Sequence, residues 1–596
     1  MDIRNDLKES ILLFDGAMGT YYSARCHRIS SNCERANLED PALVESIHRE
    51  YLEAGCRALK TNTFGVNPAA CGGDDALLRR LVGAGVDLAA RAAGGRAYVF
   101  GDIGPINGVD EKEAAAGYRA VADALLEKDV GHFLFETNST DSGLLQAAAY
   151  IRARQPDAYI ITSFAVQPDG YTRHGYHYAR MFRQLRDSGL VDAVGFNCVS
   201  SARHMALLLQ GLTVDGITIS AMPNAGYPVV IRNRTFYDGD PDYFAQQMKA
   251  IAEAGAGILG GCCGTTPLHI ARTRAALAGQ RPHKRIIPAA AGPAPVSVRS
   301  DNSFRDKLEA GRKVIALELD PPRDTDLEGF LRNAQRIKAS GADILTIADC
   351  PVARARMDSS LLACKVRYEL KMDVLPHLTC RDRNLNATKA LVLGLYAEGV
   401  RNLLAVTGDP VPTAERDEVR SVYQFNSRRL AQFLTSLGEQ ELPSPLCVFG
   451  ALNLNALNFD VQLSIAREKL KNGMYGFLTQ PVLTRQAFEN LQRARRELDA
   501  KILGGIIPIV SAKNARFMES EVNGIRVDPE LTQRYEGKTR EEGEALAYDV
   551  SVEIARRIAP FVDGFYLITP FSRVGLMERI IRAVAALEGS DPHRQD

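Results

Sequence analysis

Two cysteines stand side by side in GILGGCCGTT, residues 257–266, and adjacent thiols have few uses. A disulfide between Cys262 and Cys263 is disfavoured, because consecutive Cα atoms lie about 3.8 Å apart whereas bridged cysteines prefer about 5.5 Å. In a regular strand the two side chains point to opposite faces. They can serve one site only if a strand ends there and a turn swings the second sulfur round. Gly260, Gly261 and Gly264 supply the backbone freedom for such a turn. A third cysteine, Cys198, closes the apolar run AVGFNC (193–198). Three thiolates with one open position make a tetrahedral zinc site of the catalytic kind. The first half of the chain has no CxxC pair and the whole chain no HExxH, which argues against a zinc ribbon or a zincin. Buried cysteines without a ligand are the competing reading. Cys198 alone fits either, and the glycine-flanked pair taken with Cys198 favours the metal.

Other polar residues sit at the ends of apolar runs in the same way. In the first half these are Asp15 with Gly16, Asn62, Asp102, Glu136 and Asn224. In the second half they are Glu318, Asp349, His377 with Thr379, Asp409, Asn453 and Gln480. Such a set needs a scaffold that brings many strand ends to one mouth. The first half offers eight short apolar runs, at 11–17, 57–64, 97–105, 132–138, 159–166, 193–198, 217–226 and 257–263. The second half offers eight more, at 314–320, 342–349, 373–380, 401–409, 446–453, 476–482, 502–510 and 564–571. Segments such as 41–55, 241–255 and 327–341 lie between them, with apolar residues three or four apart and a closing glycine. Eight alternations in about 280 residues predict a (β/α)8 barrel, whose active site lies at the C-terminal ends of its strands. The Ala- and Pro-rich stretch 279–302 reads as an extended connector. The fold class is therefore α/β: two tandem (β/α)8 TIM barrels over 1–280 and 304–590, joined by an Ala/Pro-rich linker at 281–303.

Composition narrows the function class. Apolar residues make up 46% and charged residues 24%, the profile of a globular domain, and 596 residues are too many for one core. Lys+Arg and Asp+Glu balance at 72 each, so the general electrostatic footprint of a nucleic-acid or membrane binder is missing. The charged start does not read as a signal peptide, and no run approaches the roughly 20 apolar residues of a membrane span. Eleven cysteines without an export signal read as thiols of a cytoplasmic protein.

In the first half, LLFDGAMGT, TNTFGVN, GDIGP, FET, GFNC, PNAGYP and GGCCGTTPLHI occur in the order seen in the homocysteine S-methyltransferase domain, which residues 1–280 resemble. The resemblance implies Zn2+ held by Cys198, Cys262 and Cys263, with the substrate sulfur as the incoming ligand. It also implies that Asp15, Gly16 and Glu136 hold the amino-acid end of homocysteine. After FET this chain runs NSTDSGLLQAAA, less acidic than the family pattern.

In the second half, ALELDPPR, PHLTCRDRN, LLAVTGDP, FLTQPV and GGIIPIVSAKNARFM resemble the 5,10-methylenetetrahydrofolate reductase family over about 310–588. That resemblance implies FAD, with NAD(P)H as reductant. Glu318 matches the general acid that protonates the folate nitrogen. Asp409 would lie against both flavin and pterin, Gln480 would bond the pterin edge, and His377 and Lys469 would contact FAD. Asn514 replaces a folate-binding glutamine, and Glu468 stands where single-function enzymes carry arginine. ADCPVARARMDS and LNLNALNFD look instead like the reductase half of enzymes that fuse both domains.

These resemblances imply a bifunctional one-carbon enzyme with homocysteine, a methyl donor, methylenetetrahydrofolate and NAD(P)H as small-molecule partners. S-methylmethionine, S-adenosylmethionine, methyl-folate and an external corrinoid protein all stay open as methyl donors, and self-association is left open. The alternative is a reductase regulated by a zinc barrel that senses homocysteine without turnover. Among the remaining motifs, GAGILG (255–260) leads into a strand and reads as a turn, not a dinucleotide loop. His174 and His177 read as rim or solvated histidines, and the other eight cysteines as ordinary thiols.

Overall fold

The computed structural model describes residues 2–26, 33–226, 228–231, 234–237, 239–282, 301–411, 419–522, 524–570 and 573–587. The chain divides into two units, 1–294 and 295–596. Most of the expected linker, 281–303, lies outside the described residues.

In the first unit the strands are β1 (Leu12–Leu13), β2 (Ala58–Lys60), β3 (Tyr98–Ile103), β4 (His132–Asn138), β5 (Tyr159–Phe164), β6 (Ala193–Ser201) and β7 (Thr218–Asn224), then β8 (Pro228–Ile231), β9 (Arg234–Tyr237) and β10 (Ile258–Leu259). Eight of them form one parallel sheet in the order β1-β10-β7-β6-β5-β4-β3-β2. A parallel bridge between Phe14 and Ala58 brings its two ends together, with Arg57 N–H on Leu13 O at 2.7 Å and Asp15 N–H on Ala58 O at 3.0 Å. β10 is thus the eighth strand of a barrel. β8 and β9 form a separate antiparallel hairpin that interrupts the alternation between the seventh and eighth strands.

The second unit is a closed parallel barrel of β11 (Val314–Glu318), β12 (Ile344–Ile347), β13 (Asp373–Thr379), β14 (Asn402–Val406), β15 (Cys447–Leu452), β16 (Gly476–Pro481), β17 (Lys501–Ile506) and β18 (Gly564–Ile568). Both faces of each barrel strand are covered, one by helices and the other by the barrel interior, so the strands read as continuous apolar runs. β5, for example, is buried at every residue. The expected helices appear as Pro41–Glu53, Pro241–Glu253 and Leu327–Ala339. Each is followed by a glycine at φ near +100°, Gly55, Gly255 and Gly341, where a side chain would be strained.

A short helix plugs the base of each barrel. In the first, Ile3 of Ile3–Glu9 packs with Leu12, Phe14, Tyr98, Phe100 and Tyr159 in the interior. Arg4 donates to the carbonyls of Asp157 and Ala158, just before β5. In the second, Phe304 and Leu308 of Ser303–Glu309 fill the same place against Val314, Ala316 and Phe449. Phe304 N–H donates to Asp373 at 2.9 Å, and Lys501 Nζ donates to Leu308 O at 3.0 Å. Both mouths are thereby left as the open ends. No helix among the described residues is long and apolar enough to cross a membrane.

Phe304 is fully buried, so Phe304→Ala leaves a cavity in the plug. The expected cost is about 3–5 kcal/mol of stability in the second unit, measured by hydrogen exchange of its strands in increasing urea. A loss below about 1 kcal/mol would contradict the plug.

Candidate functional site

The three sulfurs converge because two strands end irregularly. β6 leaves the sheet through Cys198 and Val199, at φ +57° and +56°, and its register with β7 slips between Asn197 and Ser201. That left-handed turn redirects the Cys198 side chain. After β10 the backbone passes Gly260, where a Cβ would lie 2.7 Å from Phe14 Cβ, and Gly261, where it would lie 2.3 Å from Thr265 Oγ1. Cys262 N–H then donates to Pro223 O at 2.8 Å, and both the N–H and the hydroxyl of Thr265 return to Cys262 O. Ala225 N–H donates to Cys263 O at 3.0 Å. Backbone hydrogen bonds thus fix the turn that brings both sulfurs to one side.

The Sγ atoms of Cys198, Cys262 and Cys263 all lie within 4.8 Å of one another, with Cys198 and Cys263 at 3.8 Å. A tetrahedral zinc ion with Zn–S bonds near 2.3 Å sets its sulfurs about 3.8 Å apart, so the trio fits such an ion. The same closeness governs the protons. Interactions with Cys198 and Cys262, with help from the Tyr237 hydroxyl, pull the Cys263 thiol far below the usual range. Cys198 is pushed up to about 12.

Around the trio lies a buried charged layer. Asn197 donates to Thr137 Oγ1 at 2.7 Å and to Glu136 Oε2 at 3.3 Å, and accepts Thr137 N–H at 2.7 Å. Asp15 accepts Lys60 N–H at 3.0 Å, and its other oxygen lies 3.4 Å from Lys60 Nζ. Lys60 Nζ also donates to Gly261 O at 3.2 Å, beside the first ligand of the pair. Burial alone would discharge Lys60, but Asp15, Glu136, Cys262 and Asp102 outweigh it and keep the ammonium. Burial raises Asp15 and Glu136 while Lys60 pulls them back. Asp102 is held well above the carboxylate range by burial and by Glu136. Asp102 Oδ1 and Asn224 Oδ1 are buried and accept no hydrogen bond from the described residues. At Gly16 a Cβ would meet Thr265 Oγ1 at 2.6 Å and the Tyr51 hydroxyl at 2.8 Å, so only glycine fits.

Sequence reading places Asp15, Gly16, Glu136 and the three cysteines at strand ends, and the structure gathers them at one mouth. Lys60, Asn197 and Tyr237 belong to this site as well. For Lys60 a signal exists, since a lysine inside the apolar run RALKTNTF is rarely buried without a partner. Nothing local marks Tyr237, which arrives on the hairpin.

The second barrel opens into a cavity of about 1170 Å3, lined by Glu318, His377, Asp409, Gln480 and Tyr566 among others. That exceeds the ~300–1,000 Å3 of ordinary small-ligand pockets. Glu318 ends β11, and burial, reinforced by Asp320, lifts its carboxyl to about 7. The Tyr566 hydroxyl donates to its Oε2, and His377 Nε2 stands 3.5 Å from the same oxygen. Burial lowers His377 to about 4. Asp409 accepts Val352 N–H at 2.9 Å from a loop in which Cys350, Val352 and Ala353 all have positive φ. Its backbone carbonyl takes Arg381 and the Tyr423 hydroxyl, both at 3.1 Å. Lys469 and Asn514 are not among the residues lining this cavity. Lys469 is buried, lowered to about 8 by burial and Arg428, and donates to the carbonyl of the lining residue Ala451 at 2.8 Å. Asn514 accepts Val510 N–H at 3.1 Å and keeps Nδ2 unpartnered among the described residues.

Comparison with known proteins bears on both mouths. The family model for homocysteine S-methyltransferase matches residues 12–277, and that for methylenetetrahydrofolate reductase matches 303–582. A methionine synthase of Mycobacterium tuberculosis is 32% identical over 315 residues, 48% of this chain. The match spans about a quarter of that relative's length, 26%. The homocysteine S-methyltransferase of Escherichia coli is 29% identical over 299 residues, 45% of this chain and 96% of its own. The metallated form of an Escherichia coli homocysteine methyltransferase is a solved structure at 26% identity, covering 46% of this chain and 99% of that one with a TM-score of 0.41. Each half of the chain therefore belongs to a family: residues 12–277 to the homocysteine S-methyltransferases, and residues 303–582 to the methylenetetrahydrofolate reductases.

Proposed function

We propose that the chain is a bifunctional one-carbon enzyme. Its first barrel methylates homocysteine to methionine, and its second reduces 5,10-methylenetetrahydrofolate to 5-methyltetrahydrofolate with NAD(P)H. The observation that carries the first activity is the sulfur trio, with every Sγ within 4.8 Å of the others at a barrel mouth. Cys198, Cys262 and Cys263 would hold Zn2+, which favours the thiolate of a bound substrate thiol and so supplies a nucleophile near neutral pH. Asp15, Gly16 and Glu136 would receive the amino-acid end of homocysteine. Asp15 Oδ1, Asp102 Oδ1 and Asn224 Oδ1 are buried without a hydrogen-bond partner among the described residues, so with Glu136 they are the acceptors available for an ammonium group, Asp15 sharing its charge with Lys60.

In the second barrel His377, Asp409 and Lys469 would hold FAD, which supplies the hydride. Lys469, which donates to the Ala451 carbonyl, would do so through the FAD phosphates. Asp409, Gln480 and Asn514 would contact the folate, Asn514 through its unpartnered Nδ2. Glu318, protonated to about pH 7, delivers the proton that opens the folate ring. Its burial places the acid near the pH at which it must both hold and release a proton. A cytosolic setting suits the eleven free thiols.

The two activities should separate by mutation. Cys262→Ala in the full chain lowers methionine formation from homocysteine by at least about 100-fold with every donor offered, and leaves methylenetetrahydrofolate reduction within twofold. Glu318→Gln does the reverse, since general acids contribute about 10²–10⁴ in rate. Methionine formation untouched by Cys262→Ala would overturn the zinc barrel as an enzyme. Loss of reductase control by homocysteine, with no methionine formed by the wild type, would make that barrel a sensor.

The raised Glu318 carries a stability cost. Between about 4.5 and 7 the folded barrel binds a proton that the unfolded chain releases, so stability falls as pH rises through that window and the loss is complete above it. Glu318→Gln removes the loss. Its second unit gains up to roughly 3 kcal/mol at pH 8 and little at pH 5, read from urea midpoints followed by hydrogen exchange. An equal shift at both pH values would contradict the burial argument.

A further inference from the structure

We propose that Tyr566 is a positioning residue for the acid Glu318: its hydroxyl occupies Oε2, so the transferable proton is kept on Oε1, the oxygen open to the cavity. This rests on the reductase reading above.

Three observations carry it. The Tyr566 hydroxyl donates to Glu318 Oε2, while Oε1 has no hydrogen bond within the described residues. A carboxylic acid whose Oε2 accepts a donor carries its proton on the other oxygen. Secondly, the strands are cut to fit this contact. β18 pairs with β11 so that Tyr566 lies opposite Ala316, and Ile568 opposite Glu318. The small Ala316 leaves room for the ring inside the barrel. The hydroxyl can then reach up two residues to the strand-end carboxyl. Tyr566 is 7% exposed and packs with the plug residues Phe304 and Leu308, so the ring has a rigid floor. Thirdly, the other basic group in reach does not take the proton. His377 Nε2 faces the same Oε2 and accepts no hydrogen bond from the described residues. Burial holds that ring neutral, so the shared proton stays on Glu318.

The titratable groups facing Glu318 are Asp320 beyond the strand end, His377 from β13 and Tyr566 from β18. Asp320 raises the Glu318 pKa and Tyr566 lowers it, because a donor to the carboxylate favours the charged form. Removing the hydroxyl must therefore move the carboxyl upward while its proton loses a fixed position.

The test uses the FAD-loaded full chain and separates two half-reactions in anaerobic stopped flow. Flavin reduction by NAD(P)H needs no acid, whereas reoxidation by methylenetetrahydrofolate does. Tyr566→Phe should leave flavin reduction within twofold and slow reoxidation by about tenfold, the order expected for one lost hydrogen bond. The high-pH limb of reoxidation should move up by about one unit. In a Glu318→Gln background the same substitution should slow reoxidation no further. Reoxidation at the wild-type rate, an unmoved limb, or an equal further slowing in the Glu318→Gln background would each overturn the proposal, the last two assigning Tyr566 to packing. Wild-type flavin that neither NADH nor NADPH reduces would instead overturn the reductase reading itself.

Discussion

The convergence of three cysteine sulfurs within 4.8 Å is the constraint around which the first barrel is arranged. Without a cation, three thiolates at that separation repel one another in a medium of low dielectric. The chain meets this in two ways. Interactions among the sulfurs pull the Cys263 thiol down and push Cys198 and Cys262 up, so the three do not ionise together. A metal would replace those protons with a single divalent charge. Either arrangement needs the sulfurs held on one side. The left-handed turn at Cys198–Val199 and the turn at Gly260–Gly264 exist to do that.

Charge compensation extends outward from the trio. Lys60 ties Asp15, just past the first strand, to Gly261 beside the ligand pair, where β1 and β2 join through little more than the Phe14–Ala58 bridge. The lysine thus braces the weakest seam of the sheet and places a cation beneath an anionic site. The second barrel uses burial for another end. There it keeps one carboxyl protonated and one histidine neutral, which suits an acid more than an ion pair. Both barrels show the same division, with a plugged base and the candidate site residues at the strand ends.

Much of this was legible in the residues. The apolar runs mark the strands because both faces are buried, and Gly-Gly-Cys-Cys-Gly marks a turn that no other composition would allow so simply. Other features were hidden for physical reasons. The plug helices have seven residues each, too few to be stable alone, so only tertiary packing reveals them. The β8–β9 hairpin is built from ordinary β-formers and resembles loop plus strand until its pairing is seen. Asn197 and Tyr566 act through contacts with partners 60 and 248 residues away, which local spacing cannot encode. Lys469 and Asn514 lie outside the cavity lining, so their roles rest on motif position, with Lys469 bonded to the lining residue Ala451 and Asn514 Nδ2 unpartnered among the described residues.

On the proposed reading the trio is an open thiolate site for a metal whose fourth ligand is the substrate sulfur. Zinc X-ray absorption of the loaded full chain reads the ligand set itself. Three sulfurs at about 2.3 Å and one lighter atom are expected, changing to four sulfurs when homocysteine is added. A first shell dominated by nitrogen or oxygen, or one that homocysteine leaves unchanged, would contradict it.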